Sequence, residues 1–336
     1  MSGADRPLPR ENATVIRAAL LERYPQQLTG HLARLIEAGE AALARQFLPD
    51  EVELDTANGM IVDPLAEQSH TPLPGLVHRH ADRVLLLASD RCAAICRFCF
   101  RKGRQFTSYA DLKAEAREAL FTYLMEHREV REVILTGGDP LTLPLETLAG
   151  LLQRLRAIPH LQVLRIHTRM PVVDPARITP ELVALLQGDP ALFVMLHVNH
   201  PAEITEAFAE ACRMLGDSGI PLGSQTVLLK GVNDDCTILE KLFNGLLRLR
   251  VRPYYLHHPD QAEGTAHFRV SLERGRALEA EMSGRLSGLA LPRYVVDLPG
   301  GHGKVTVSEQ SLVSLGAEAV LRAPGGQLVK VMNRER

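Results

Sequence analysis

Three of the five cysteines in this 336-residue chain, Cys92, Cys96 and Cys99, fall within one short stretch. Thiolates spaced C-x3-C-x2-C can converge on a soft inorganic centre, and a [4Fe-4S] cluster normally takes four cysteine ligands. With only three, one iron keeps an open position that can bind a small molecule as well as pass electrons. A structural zinc knuckle, the competing reading, needs a fourth ligand, usually from a second Cys or His pair at similar spacing, and no such pair follows. Arg101 lies two residues beyond the last cysteine. Beside a cofactor its planar fork suits a carboxylate, whereas next to a purely structural site it would be an ordinary surface arginine. Cys212 and Cys236 read as plain thiols, small hydrophobes rather than ligands.

Four further groups could do chemistry. Gly137-Gly138-Asp139-Pro140 is a tight turn or a place where backbone can approach a ligand closely. Lys304, in Gly300-Gly301-His302-Gly303-Lys304, is a solvent lysine or an amine able to form a Schiff base with pyridoxal phosphate (PLP). PLP also needs a phosphate anchor, for which Arg79 and Arg83 are candidates when not simple surface arginines. Asp260 and Asp297 are strand-end carboxylates, either turn residues or a pair selecting a cationic substrate end. His167, His197, His200 and His267 read as core or loop groups, and none is assigned to a metal.

These residues punctuate an alternation of apolar runs and helical patterns. Strands are expected at 83–88, 132–136, 163–167, 192–197, 223–228 and 252–256, each followed by a helix, near 112–126, 145–158, 180–186, 203–215, 238–249 and 272–286. A further strand at 293–297 enters the glycine-rich turn. Six strand-helix units imply a parallel sheet, and polar residues gathered where strands end favour an α/β architecture built as a partial (β/α)6 TIM-like barrel over an open doubly wound sheet. Upstream, 11–47 has the periodicity of two or three helices, and 50–74 is an approach segment without sustained pattern. The expected organisation is an N-terminal helical segment (1–63), a catalytic barrel (64–310) and a short C-terminal segment (311–336), read as a short strand or a solvated end.

Composition is that of an ordinary globular protein: 46% hydrophobic and 23% charged residues with a net charge of −2. The absence of a basic stripe argues against a nucleic-acid partner. A polar N-terminus and no apolar run approaching a membrane span predict a cytoplasmic protein, whose reducing environment suits clustered thiols.

From about residue 64 to 307 the chain resembles the lysine 2,3-aminomutases, radical S-adenosylmethionine (SAM) enzymes that also use PLP. The resemblance rests on Gly75-Leu76-Val77-His78-Arg79 with Asp82-Arg83, the three-cysteine loop, Gly137-Gly138-Asp139-Pro140, the stretch 225–234 beginning Gln225-Thr226, Arg252-Pro253-Tyr254-Tyr255, His267-Phe268-Arg269, and 295–304 ending in Lys304. It implies that Cys92, Cys96 and Cys99 hold a [4Fe-4S] cluster, that Gly137, Gly138 and Asp139 hold the methionyl ammonium of SAM, and that Gln225 lies near SAM. It further implies PLP on Lys304 with its phosphate facing Arg79 and Arg83, the substrate carboxylate on Arg101, and the side-chain ammonium on Asp260 and Asp297. The implied reaction is radical migration of the lysine nitrogen from C2 to C3 to give β-lysine, fed by a flavodoxin- or ferredoxin-type electron donor. Glutamate, arginine and a protein-bound lysine of elongation factor P are the alternative substrates. A non-catalytic iron-sulfur module, the rival from another class, would have no use for Lys304 or the paired aspartates. No zinc site is expected, because no cysteine follows Cys236, and the oligomeric state is left open between a single chain and a homo-oligomer.

Overall fold

A computed structural model describes residues 10–55 and 60–334. The polar start 1–9 and the last two residues lie outside the described residues. Nine strands form one sheet in sequence order: β1 (Leu76–His80), β2 (Arg83–Ser89), β3 (Glu132–Gly137), β4 (Val163–Thr168), β5 (Ala191–His197), β6 (Leu222–Val227), β7 (Val251–His257), β8 (Arg293–Asp297) and β9 (Lys304–Thr306). Strands β2 to β8 are parallel, and β1 and β9 add antiparallel edges. The six expected strand-helix units are all present. Strand β1, which sequence periodicity did not pick out, doubles back on β2.

Among the described residues ten α-helices accompany the strands: α1 (Arg10–Arg23), α2 (Gly30–Glu37), α3 (Ala41–Phe47), α4 (Ala114–Glu126), α5 (Leu145–Arg156), α6 (Met170–Val173), α7 (Pro180–Leu186), α8 (Glu206–Asp217), α9 (Cys236–Arg248) and α10 (Leu272–Ser283). Side chains of Thr179, Thr205, Asp235 and Ser271 accept backbone N–H bonds at the starts of α7 to α10, which fixes where each crossover turns into helix. No helix among the described residues is long and apolar enough to cross a membrane.

Alternation along β4 shows how the sheet is used. Leu164, Ile166 and Thr168 are buried, while Val163, Arg165 and His167 lie on the opposite face and are only partly covered. Strand β5 repeats this, with Leu192, Val194 and Leu196 buried and His197 at the open end. One face of the sheet therefore packs under helices while the other lines an interior.

The Arg79 guanidinium of β1 lies 3.9 Å from an Asp297 carboxylate oxygen of β8. Seven strand spacings of about 4.8 Å would separate these strands by roughly 34 Å in a flat sheet, far beyond the reach of an arginine. The sheet is thus curled into an open barrel whose edges meet through side chains, not through a closing ladder.

Downstream, β10 (Leu312–Ser314), β11 (Glu318–Arg322) and β12 (Leu328–Met332) form a separate antiparallel sheet. This replaces the short strand or solvated end expected there. Ala319, Leu321, Val329 and Val331 bury its inner face, and Asn333 accepts the Leu272 N–H at the start of α10.

Candidate functional site

The cysteine loop follows β2 and is gripped by the N-terminal helical segment. Ile95 N–H donates to Gln27 O (3.0 Å) and Arg97 N–H to Gln46 O (2.8 Å). The Arg97 side chain, 0% exposed, makes two short bonds to Glu53 (2.9 and 2.7 Å) and reaches the carbonyls of Pro25 and Tyr24. Lys102 donates to the same carboxylate (2.6 Å). Burial alone would raise the Glu53 carboxyl, but the Arg97 hydrogen bonds and the Lys102 charge outweigh it and hold it below the usual range. Burial pulls Lys102 itself down to about 8 against the attraction of Glu53.

Held in this way, Cys92, Cys96 and Cys99 line one cavity of about 250 Å³. Cys96 Sγ accepts from the Arg169 guanidinium (2.9 Å), and Cys99 Sγ from the Arg101 backbone N–H (3.4 Å). Burial raises the Cys92 and Cys99 thiols, with the neighbouring sulfurs adding to the effect. Such thiols ionise when a cation replaces their protons, and the donors at Cys96 and Cys99 are already placed to support thiolates. The described residues hold no group of three or more His, Cys, Asp and Glu suited to a single metal ion. A single ion needs its ligands about 2 Å away, whereas thiolates that each hold a different iron of a cluster share no such point.

Gly137 and Gly138 form another wall of the cavity. A Cβ on Gly138 would stand 2.2 Å from Arg91 O, and one on Gly137, at φ +112, would stand 2.5 Å from Ser89 O. The turn thus packs directly against the backbone of the cysteine loop, and Gly138 N–H donates to Ser89 O (2.6 Å). Asp139 also lines the cavity, yet its carboxylate is spent on the fold: it accepts from Leu141 N–H, Thr168 Oγ1 and Arg169 N–H, pinning the end of β3 to the end of β4.

A further wall comes from the ends of β7 and β8, through His257 and Asp297. Asp297 and Lys304 face each other across the β8–β9 ladder, and their side chains meet at 2.5 Å. Gly300, Gly301 and Gly303 all have positive φ, so the tight reversal that makes this pairing depends on them. Lys304 Nζ also contacts His257 Nδ1 (3.1 Å) and lies 4.9 Å from the centre of the Tyr255 ring. Burial would raise the Asp297 carboxyl, but Lys304 and His257 hold it well below the usual range. Asp260, in the same cavity, is pushed up to about 7 by burial and by the Asp297 charge. His257 and His167 each bury an Nε2 that has no hydrogen-bond partner among the described residues.

Arg101 lies at the cysteine end of the cavity. Its Nε and one Nη bind Glu67, and the other Nη donates to Gly137 O (3.0 Å). Gln225 and Asp260 also line the cavity. Lys304 and Arg79 touch it through Asp297. Arg83 stands apart: its guanidinium pairs with neighbouring Asp82 (2.8 Å) on a half-exposed surface. Sequence reasoning overlooked Glu53, Glu67, Arg169 and His257, and it set aside His167 and His197, which line the cavity at the ends of β4 and β5. The one available signal was position, since His167, Arg169, His197 and His257 all fall at or just after a strand end.

Comparison with known proteins bears on this arrangement. A radical SAM superfamily model matches residues 86–242, and a lysine-2,3-aminomutase model matches 279–331. L-lysine 2,3-aminomutase from Fusobacterium nucleatum is 38% identical over 313 residues, covering 93% of this chain and 73% of that protein. The enzyme of the same name from Acetoanaerobium sticklandii is 42% identical over 317 residues, covering 93% and 76%. The chain belongs to the lysine 2,3-aminomutase family. It is therefore a radical SAM aminomutase, an enzyme class built on a [4Fe-4S] cluster and SAM. Glutamate 2,3-aminomutase from Clostridioides difficile is similar too, 37% identical over 288 residues that cover 84% of this chain and 67% of that protein.

Proposed function

We propose that this aminomutase moves the α-amino group of L-lysine from C2 to C3, giving β-lysine, with PLP carried on Lys304. The observation that carries the substrate assignment is the charge lining the cavity: Arg101 beside the cysteines, and Asp260 and Asp297 beside Lys304. A free amino acid with a cationic side chain matches both ends.

When bound, the cluster with SAM supplies a carbon-centred radical able to take hydrogen from an unactivated carbon, and PLP supplies a holder for the migrating nitrogen. Cys92, Cys96 and Cys99 would each ligate one iron and leave the fourth open. Gly137 and Gly138 keep that side of the cavity free of side chains, so the SAM ammonium can meet backbone there, with Gln225 close by. The Lys304 amine would carry PLP, and Asp297 and His257 are in place to hold or accept its protons. Arg79 is the nearer phosphate anchor. Arg83 could join it only by leaving Asp82.

Arg101 has five N–H donors, of which Glu67 and Gly137 O occupy three. The two that remain suit the substrate carboxylate. Among the described residues no hydrogen bond reaches the Asp260 carboxyl, so the arrival of an ammonium group would favour its ionised form. The similarity to a glutamate aminomutase keeps glutamate as the second reading, but a glutamate side chain would need a cation where these two acids stand. Arginine and a protein-bound lysine share the cationic end and remain arms of the same test.

The test is anaerobic incubation of the reconstituted protein with SAM, PLP, a reductant and a panel of amino acids. β-Lysine should dominate the products. Turnover of glutamate equal to that of lysine would overturn the substrate assignment, and failure of borohydride to trap PLP on Lys304 would overturn the cofactor role.

A further inference from the structure

Arg169, just beyond the end of β4, belongs to no part of the reaction outlined above, yet it is one of three buried arginines among the described residues. It is 7% exposed. One Nη donates to Cys96 Sγ at 2.9 Å; the other donates to Gln46 Oε1 (2.6 Å) and Glu203 Oε1 (3.0 Å). Its backbone N–H is fixed to Asp139 (2.8 Å). Its guanidinium carbon lies 4.5 Å from the centre of the Phe47 ring and 5.1 Å from that of Phe98. Its partners are themselves tied down: Gln46 donates to Glu203 (2.7 Å), and Asn199 donates to Gln46 (3.0 Å) and, through its backbone, to Glu203 (2.9 Å). Such a network leaves the side chain little freedom to point anywhere but at the sulfur.

We infer that Arg169 is a positioning residue that raises the reduction potential of the cluster through its charged hydrogen bond to Cys96. The inference rests on Cys92, Cys96 and Cys99 being the cluster ligands. One-electron reduction adds a negative charge shared between iron and its thiolates. A cation donating to one thiolate in a buried, low-dielectric site stabilises the reduced form more than the oxidised form, so the electron enters at a less negative potential. Glu203 partly balances the buried charge on the side away from the sulfur, so the pair acts as a dipole with its positive end on Cys96. Helix α3 supplies Gln46 and Phe47, which gives the N-terminal segment a part in tuning the cluster.

The experiment is potentiometry followed by electron paramagnetic resonance on the anaerobically reconstituted full chain without SAM, comparing wild type with Arg169→Lys, Arg169→Gln and the charge-balanced Arg169→Gln/Glu203→Gln. Iron and sulfide content of the wild type checks the ligand assignment independently, because a chain that holds no cluster fails there before any potential is read. The expected result is a full cluster with a midpoint shifted to more negative potential in both Arg169→Gln proteins and a smaller shift in Arg169→Lys. A full cluster at the wild-type potential in Arg169→Gln would overturn the inference. Loss of iron from folded variants would also overturn it, assigning Arg169 to cluster retention instead. Should none of the variants fold, wild type labelled with 15N-arginine decides: a nitrogen coupling to the reduced cluster supports the contact, and its absence rejects it.

Discussion

The two ends of the cavity are built by different means. At the cysteine end a loop without regular structure is immobilised by distant groups: Arg97 and Lys102 on Glu53, Arg101 on Glu67, Arg169 on Gln46 and Glu203. At the lysine end a regular hairpin does most of the work, since the β8–β9 ladder brings Asp297 opposite Lys304, with His257 of β7 and Arg79 of β1 joining from other strands. The difference follows from what each end would hold. A cluster needs three thiols fixed in a loop whose own backbone bonds are only short turns, so buried ion pairs substitute for a ladder. A single amine needs only one neighbour in register.

The largest expected effect is that each end loads without the other. Cys96→Ala should abolish activity and cluster loading, read as iron content, while borohydride trapping of PLP on Lys304 persists. Lys304→Ala should do the reverse, leaving the iron and the cluster spectrum intact. Loss of both signals in either variant would show that the two ends assemble as one unit.

Glu53→Gln tests the buttress. Removing one partner of a buried ion pair strands the other charges, which costs about 3–5 kcal/mol. Denaturant unfolding should register that loss, and cluster loading should fall further than PLP labelling does. An equal fall in both would deny the buttress any local role.

Gly138→Ala sharpens the account of the shared wall. Its added carbon would press on the Arg91 carbonyl, a backbone atom that cannot swing away. The variant should lose SAM binding, measured by equilibrium dialysis, while labelling of Lys304 is kept. Wild-type SAM affinity would remove the turn from the cofactor site.

The smallest effect concerns pH at the lysine end. Asp260 is raised to about 7, so the folded chain holds this proton more tightly than the unfolded chain. Its contribution to stability is full below about pH 4 and is lost as pH rises to about 7. Asp260→Asn, neutral throughout, should therefore melt at a higher temperature than wild type at pH 8 and at the same temperature at pH 4. It should also raise KM for lysine, whereas the wild-type KM should fall as pH rises through about 7. An unchanged melting difference across this range would remove the raised carboxyl from the account.

Legibility followed distance along the chain. Cys92, Cys96 and Cys99 and the turn at Gly137 are local patterns, and in three dimensions they line one cavity with Asp297, which Lys304 contacts. The six strand-helix units were equally readable, because period-two and helical spacing recur within each segment. Strand β1 was missed because three of its five residues, His78, Arg79 and His80, are polar, with Arg79 reaching Asp297. The C-terminal sheet was missed because its three short strands alternate too briefly to stand out from a solvated tail.

By itself the sequence determined the thiol triad, the parallel α/β order and the lysine just beyond a glycine-rich turn, all consequences of residue spacing along a few turns or strands. Tertiary structure alone decided that Glu53, Glu67 and Arg169 serve the cysteine loop, that His167, His197 and His257 face a cavity and not a core, and that Arg79 comes to Asp297. Those pairings form only when the sheet curls and the N-terminal helices fold back on the loop, so no local period encodes them. Burial then gives them their force, since charges brought together away from water interact far more strongly than the same charges on a surface.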